Sequence, residues 1–170
     1  LIGKMDVKSF KGKVFAITGA GSGIGRALAI LLAKQGASLA LCDKDEHGLS
    51  DTSQRLGNAH HFCQSLDVRD AQALQDFAQA TQDAFGQIDG VINNAGVSVI
   101  APADQMKRED FMWQMDVNFW GVVNGTEAFI PFIRKQKDGA ILNVSSVFGL
   151  IAFPAQSTYN ASKFAVRGYT

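Results

Sequence analysis

The chain has 170 residues, with 16 Lys+Arg against 16 Asp+Glu, so its formal net charge is zero. Hydrophobic residues make up 46% and charged residues 19%, enough apolar material for a core, which argues against disorder as the main state. Without a basic excess, sequence-blind nucleic-acid binding is not expected. The longest apolar runs, such as Val147 to Ala155, fall far short of the ~20 residues of a membrane helix.

Two kinds of segment alternate along the chain. Lys13 to Thr18 is a short apolar run without helical period and reads as a strand buried on both faces. Gly23 to Gln35 carries Ile24, Leu28, Leu31 and Leu32 at helical spacing, with Gly36 as its stop. Ser38 to Asp43 is a second strand, Asp45 to Leu56 a polar helix and His61 to Leu66 a third strand. Asp70 to Phe85 is an amphipathic helix with Leu74, Phe77, Ala78, Thr81 and Phe85 on one side. Gly90 to Asn93 is a fourth strand. Lys107 to Lys137 is a long helical region that Pro131 is expected to kink. Gly139 to Val144 is a fifth strand, and a last helix opens near Ser157 after the loop Ser145 to Gln156.

Such alternation with short connections predicts an α/β fold, a doubly wound parallel sheet of Rossmann type in the order 3-2-1-4-5. One domain, 1–170, is expected. Leu1 to Phe10 lacks the long apolar core and cleavage site of a signal peptide. Cys42 and Cys63 are too few for a disulfide framework and suit a reducing, cytoplasmic compartment. His47, His60 and His61 do not combine with the cysteines at metal-ligand spacing, so no metal is expected.

Ligands of such sheets sit at the carboxyl ends of the strands. Strand 1 runs into Thr18-Gly19-Ala20-Gly21-Ser22-Gly23-Ile24-Gly25 and then a helix. Glycines allow a tight turn and a close approach by a pyrophosphate, and the helix N-terminus offers free N–H groups. The alternative is a flexible turn with no ligand. Asp43 ends strand 2, 18 residues beyond Gly25. A carboxylate there accepts from ribose hydroxyls and repels a 2′-phosphate, which favours NAD over NADP. Ser22, where a basic residue could stand, points the same way, and Lys44 is the one dissenting charge. The alternative for Asp43 is that it caps the following helix.

Tyr159 and Lys163 lie four apart on a predicted helix, hence on one face. A free phenol titrates near pH ~10 and is a poor base at neutrality, and a neighbouring cation favours its anion. Val144-Ser145-Ser146 follows strand 5, at the ligand end of the sheet, and Asn118 lies in the long helix before it.

Together these motifs resemble the short-chain dehydrogenase/reductase family, in the subgroup with the Thr-Gly-x-x-x-Gly-x-Gly turn and Tyr-x-x-x-Lys. The matching positions run from Thr18 to Lys163 and include Asp67 in Leu66-Asp67-Val68 and Asn93-Asn94-Ala95-Gly96. The resemblance implies an oxidoreductase that transfers a hydride between a nicotinamide cofactor and an alcohol or carbonyl. It implies Tyr159 as general acid/base. Lys163 would favour the tyrosine's anion and hold the nicotinamide ribose. Ser146, thirteen residues before the tyrosine, is implied to bond the reacting oxygen rather than Ser145. Asn118 would hold a water that links Lys163 to solvent. Gly19, Ser22, Gly23, Ile24, Gly25 and Asp43 would bind the cofactor, Asp67 and Val68 would contact adenine, and Asn94, Ala95 and Gly96 would shape its floor. For that last stretch, turn-making and strand bracing account for the residues equally well.

Thr170 lies seven residues after Lys163, whereas the resemblance implies further strands and a substrate-covering segment, so a truncated form is expected. Strand 5 is then expected to show an apolar edge from Ala140 to Val144. The alternative functions are a catalytically inactive nucleotide-binding fragment and a redox-sensing module. Trp113 and Trp120, seven apart, are expected on one stripe of the long helix, beside Phe111, Met115, Phe119 and Val122. Two apolar faces on one helix predict a homodimer or homotetramer, formed through this helix and the one bearing Tyr159.

Overall fold

In this computed structural model, which describes residues 10–170, the run after Lys13 forms strand β1 (Val14–Thr18), with Ala16 and Ile17 fully buried. The end from Leu1 to Ser9, where the leader question falls, lies outside the described residues. A strand apolar on both faces needs a helical layer on each side. The crossovers supply them. α1 (Gly23–Lys34) leads to β2 (Ser38–Asp43), α2 (Glu46–Leu56) to β3 (His61–Ser65), and α3 (Ala71–Phe85) to β4 (Gly90–Asn93). α4 (Arg108–Met115), a π-helical turn at Asp116–Trp120 and α5 (Gly121–Ile133) lead to β5 (Ala140–Asn143), and α6 (Ser157–Tyr169) follows.

All four ladders are parallel and the strand order is β3-β2-β1-β4-β5, as the alternation predicts. On one face Leu74 and Phe77 of α3 meet Phe129 of α5, the two phenyl rings edge-on at 5.7 Å. On the other, Ala29 and Leu32 of α1 and Leu49 of α2 cover Ile17, Leu39 and Leu41. Local chemistry sets the helix ends. Asp45 accepts from the Gly48 N–H at 3.1 Å and Asp70 from the Ala73 N–H at 3.0 Å, each satisfying an N-terminal donor. Gly86, at φ +76°, ends α3 in the left-handed region.

Four expectations change. In α1 the buried stripe is Gly25, Ala29 and Leu32, while Ile24 and Leu31 are 62% and 54% exposed. Gly25 lies against the Gly19 carbonyl, and this contact rotates the helix so that the small residues meet the sheet. The long helix ends at Ile133, short of Lys137, with Pro131 inside its last segment, and a π-helical turn interrupts it at Asp116–Trp120. A π turn inserts an extra residue between Trp113 and Trp120. The two indoles therefore leave their common stripe: Trp113 packs against the core, whereas Trp120 is 52% exposed. The capping task expected as the alternative for Asp43 belongs to Asp45. β5 is an edge strand among the described residues and its Leu142 is exposed, as expected.

Candidate functional site

A cleft of about 510 Å³ opens where β1 and β4 send their chains to opposite sides. Gly19, Ser22, Gly23 and Ile24 line one end, Asp43, Lys44, Asp67 and Val68 one side, and Asn94, Ala95 and Gly96 the floor. Val97, Ser98, Val144, Ser145, Tyr159 and Lys163 line the far end. Of the predicted site residues, Gly25, Asn118 and Ser146 stand outside this lining.

The glycine turn is built tightly. Gly19 has φ +67°, and a Cβ there would meet the Ala95 Cα at 2.7 Å. Gly25 cannot carry a side chain because the Gly19 carbonyl occupies the space. Thr18 Oγ1 accepts from the N–H groups of Asn94 and Ala95 at 3.0 and 3.1 Å. Asn94 Nδ2 donates back to the carbonyls of Thr18 and Gly19, so β1 and β4 share one frame at their carboxyl ends. Asn93 braces the same frame, donating to Thr126 Oγ1 and Asn143 Oδ1.

Asp43 Oδ2 accepts from the Gly21 N–H at 2.8 Å, and Oδ1 accepts from the Asp45 N–H at 3.0 Å. The carboxylate thus fixes the turn while lining the cleft. Three residues outside the predicted set hold the turn from behind. Arg26 donates to the carbonyls of Gly21 and Gly48 and to Thr52 Oγ1. Thr52 donates to the Ala20 carbonyl at 2.8 Å, and a Cβ at Gly48 would meet the Gly21 carbonyl at 2.7 Å. The visible signal was Arg26 itself: a cation in a helix's first turn opposes the dipole, so another partner must hold it.

Asp67 binds Arg69 through both oxygens, the shortest contact being 2.6 Å from Nη2. This bond holds its carboxyl below the ordinary carboxylate range, ahead of the opposing effect of burial. Val68 packs on Gly121, and its carbonyl accepts from Asn124 at 3.0 Å.

At the far end Lys163 is 4% exposed, and its Nζ donates to the Val144 carbonyl at 2.8 Å. Burial lowers its pKa from the ordinary 10.5. The ammonium stands 5.7 Å from the centre of the Tyr159 ring. The Phe148 ring meets Tyr159 edge-on at 6.0 Å. Ser145 Oγ donates to the Lys163 carbonyl, and Ser146 Oγ accepts from the Phe148 N–H, capping the short helical turn Val147–Gly149. Asn118, in the π turn, is fully buried. It accepts from the Val97 N–H at 2.8 Å and donates to the Val97 carbonyl and Ser162 Oγ. Asn118 therefore ties the floor to α6.

The sheet order and the cleft at its carboxyl edge define a fold of Rossmann type. The family model described as short chain dehydrogenase matches residues 13–170, and the chain belongs to that family. It is 50% identical over 167 residues to the oxidoreductase SadH of Mycobacterium tuberculosis, spanning 96% of this chain and 60% of the relative. The crystal structure of a short chain dehydrogenase/reductase from Burkholderia phymatum in complex with NAD matches with a TM-score of 0.92 and 38% identity, over 95% of this chain and 58% of that one. NAD-bound xylitol dehydrogenase gives a TM-score of 0.92 at 30% identity, over 96% and 64% of the two chains. The chain thus spans about 60% of the length of such relatives. These relatives are named as oxidoreductases or dehydrogenases, and the two solved structures hold NAD.

The donor set fits such a cofactor. No side chain caps α1 and no acid stands in its first turn, so its N-terminal N–H groups suit an anion. Gly23, at φ +49°, leaves open space where a Cβ would point.

Proposed function

We propose that this chain carries the cofactor site and proton-transfer residues of an NAD(H)-dependent dehydrogenase or reductase acting on an alcohol or carbonyl. The observation that carries this reading is Lys163, a buried ammonium beside the Tyr159 ring in the same cleft as the glycine turn and Asp43. When bound, a nicotinamide supplies the hydride donor or acceptor. Tyr159 gives its hydroxyl proton to the carbonyl oxygen in reduction and takes the alcohol's proton in oxidation. Lys163 stands with its ammonium beside the Tyr159 ring and has donors left beyond Val144 for ribose hydroxyls. Ser146 bonds the reacting oxygen, its hydroxyl oriented by the Phe148 N–H. Asn118 positions the floor and α6 and borders the water path to Lys163.

Gly19, Ser22, Gly23, Ile24 and Gly25 hold the pyrophosphate. Asp43 accepts from the adenosine ribose and disfavours a 2′-phosphate, which supports NAD over NADP. Val68, Asn94, Ala95 and Gly96 shape the floor. Asp67 reaches adenine alongside its bond to Arg69.

Exposed Met112, Trp120, Phe164 and Tyr169 on α4, the π turn and α6 support pairing with a second copy into a homodimer or homotetramer. Light scattering tests this, and a monomer at micromolar concentration refutes it. The free thiols of Cys42 and Cys63 support a cytoplasmic setting.

The deciding experiment is Tyr159→Phe in the full-length protein. Nucleotide binding should persist while turnover falls by about 100-fold or more, since only the titrating hydroxyl is lost. Near-normal turnover refutes the assignment.

A further inference from the structure

Three cationic side chains stand around the Asp43 corner of the cleft, and any of them could in principle serve a phosphate there. Arg26 donates to two carbonyls and to Thr52. Arg69 is bound through two nitrogens to Asp67. Lys44 lines the cleft next to Asp43, is exposed, and has a flexible stem. Its ammonium lies over the indole of Trp113, 5.6 Å from the ring centre.

That ring is a firm platform, because it packs against the core cluster that contains Leu66 and Val68. The face of an indole attracts a cation more strongly than any other side-chain ring. The Asp67 carboxylate, whose titration feels the Lys44 charge, adds attraction from the same side. Asp43 leans the other way, towards Gly21. Successive residues at the end of a strand point to opposite sides, so carboxylate and ammonium part company.

Building on the NAD reading above, we propose that Trp113 is a positioning residue for cofactor choice: by holding the Lys44 ammonium on its ring, it keeps that cation from serving a 2′-phosphate. Asp43 repels the phosphate, and Trp113 withholds the nearest charge that could compensate. The discrimination thus has two parts, one at the end of β2 and one on α4. A lysine that stands as a dissenting charge in the sequence is neutral in effect because of a ring distant from it in the chain.

The test is a double-mutant cycle read by calorimetric titration of the chain with adenosine 5′-monophosphate and adenosine 2′,5′-bisphosphate. Trp113→Leu should improve the bisphosphate relative to the monophosphate by about two- to fivefold, the range of an exposed cation–ring attraction. Trp113→Phe, which keeps a ring for packing, should shift the ratio in the same direction by less. Lys44→Ala alone should leave the ratio unchanged, and adding it to Trp113→Leu should abolish the gain. An unchanged ratio in both Trp113 variants overturns the proposal. So does a Lys44→Ala variant that loses as much bisphosphate affinity with Trp113 present as without it. If the unmodified chain binds neither nucleotide, the cofactor reading fails first and takes this inference with it, a result distinct from binding with an unaltered ratio.

Discussion

Asn118→Leu isolates the joint between the π turn, the cleft floor and α6. The substitution keeps the side chain's bulk but removes an acceptor for the Val97 N–H and donors to the Val97 carbonyl and Ser162 Oγ. Stranding a buried polar group costs about 1–3 kcal/mol. Two backbone groups are stranded here, but Val97 is only half-buried and water reaches part of it. We therefore place the loss near the lower end, at about 2–3 kcal/mol. At ~2–4 °C per kcal/mol for a chain of this size, Tm should fall by about 4–12 °C. Thermal unfolding followed by circular dichroism measures it. Nucleotide affinity should fall as well, because Gly96 and Val97 lose their tether. A Tm within about 1 °C of the parent would show that the floor does not depend on Asn118, and the reasoning would fail.

Two glycines of one turn should respond differently to alanine. Gly23→Ala meets only the left-handed φ and should cost about 1–2 kcal/mol, whereas Gly25→Ala drives a Cβ into the Gly19 carbonyl and should abolish nucleotide binding. Equal melts and equal affinities for the two variants would contradict this. Asp43→Ala should narrow the proposed preference for NAD over NADP and loosen the turn held at the Gly21 N–H, with binding titrations of both cofactors as the measurement. An unchanged ratio would show that the carboxylate does not discriminate. Burial lowers Lys163 below 10.5, so between the lowered value and 10.5 the unfolded chain holds more protons than the folded one, and stability rises with pH across that window. Lys163→Met should remove that rise relative to the parent in urea titrations at alkaline pH. An identical slope in the variant would contradict the burial argument.

The cleft was readable to the extent that its residues follow strands directly. Gly19, Asp43 and Asn94 each stand at or directly after a strand's end, and parallel strands bring their carboxyl ends together whatever the side chains, whereas the cleft takes Ser145 into its lining where the sequence pointed to Ser146. The Arg26–Thr52–Gly48 latch was less legible, because it joins α1 to α2 across 22 or more residues through the Thr52 hydroxyl and the Gly48 carbonyl, a pairing that no local spacing records. The exposed faces of Ile24 and Leu31 escaped for a related reason. Helical spacing identifies an apolar helix, but the contact of Gly25 with Gly19 decides which neighbouring stripe turns inward.

Alternating apolar runs and helical periods determine the crossovers and the sheet order from the chain alone, because each β-strand must be covered and right-handed connections leave few arrangements. The Tyr159 and Lys163 pairing is equally local, since four residues make about one helical turn. The π turn at Asp116–Trp120 is different. A helical period continues on either side of it, and only packing against α6 and the Val97 loop settles where the extra residue goes. That insertion buries Asn118 at the floor, separates Trp113 from Trp120, and leaves the first indole beneath Lys44 and the second facing outward. These outcomes depend on contacts between elements far apart in the chain, which is why the tertiary structure alone decides them.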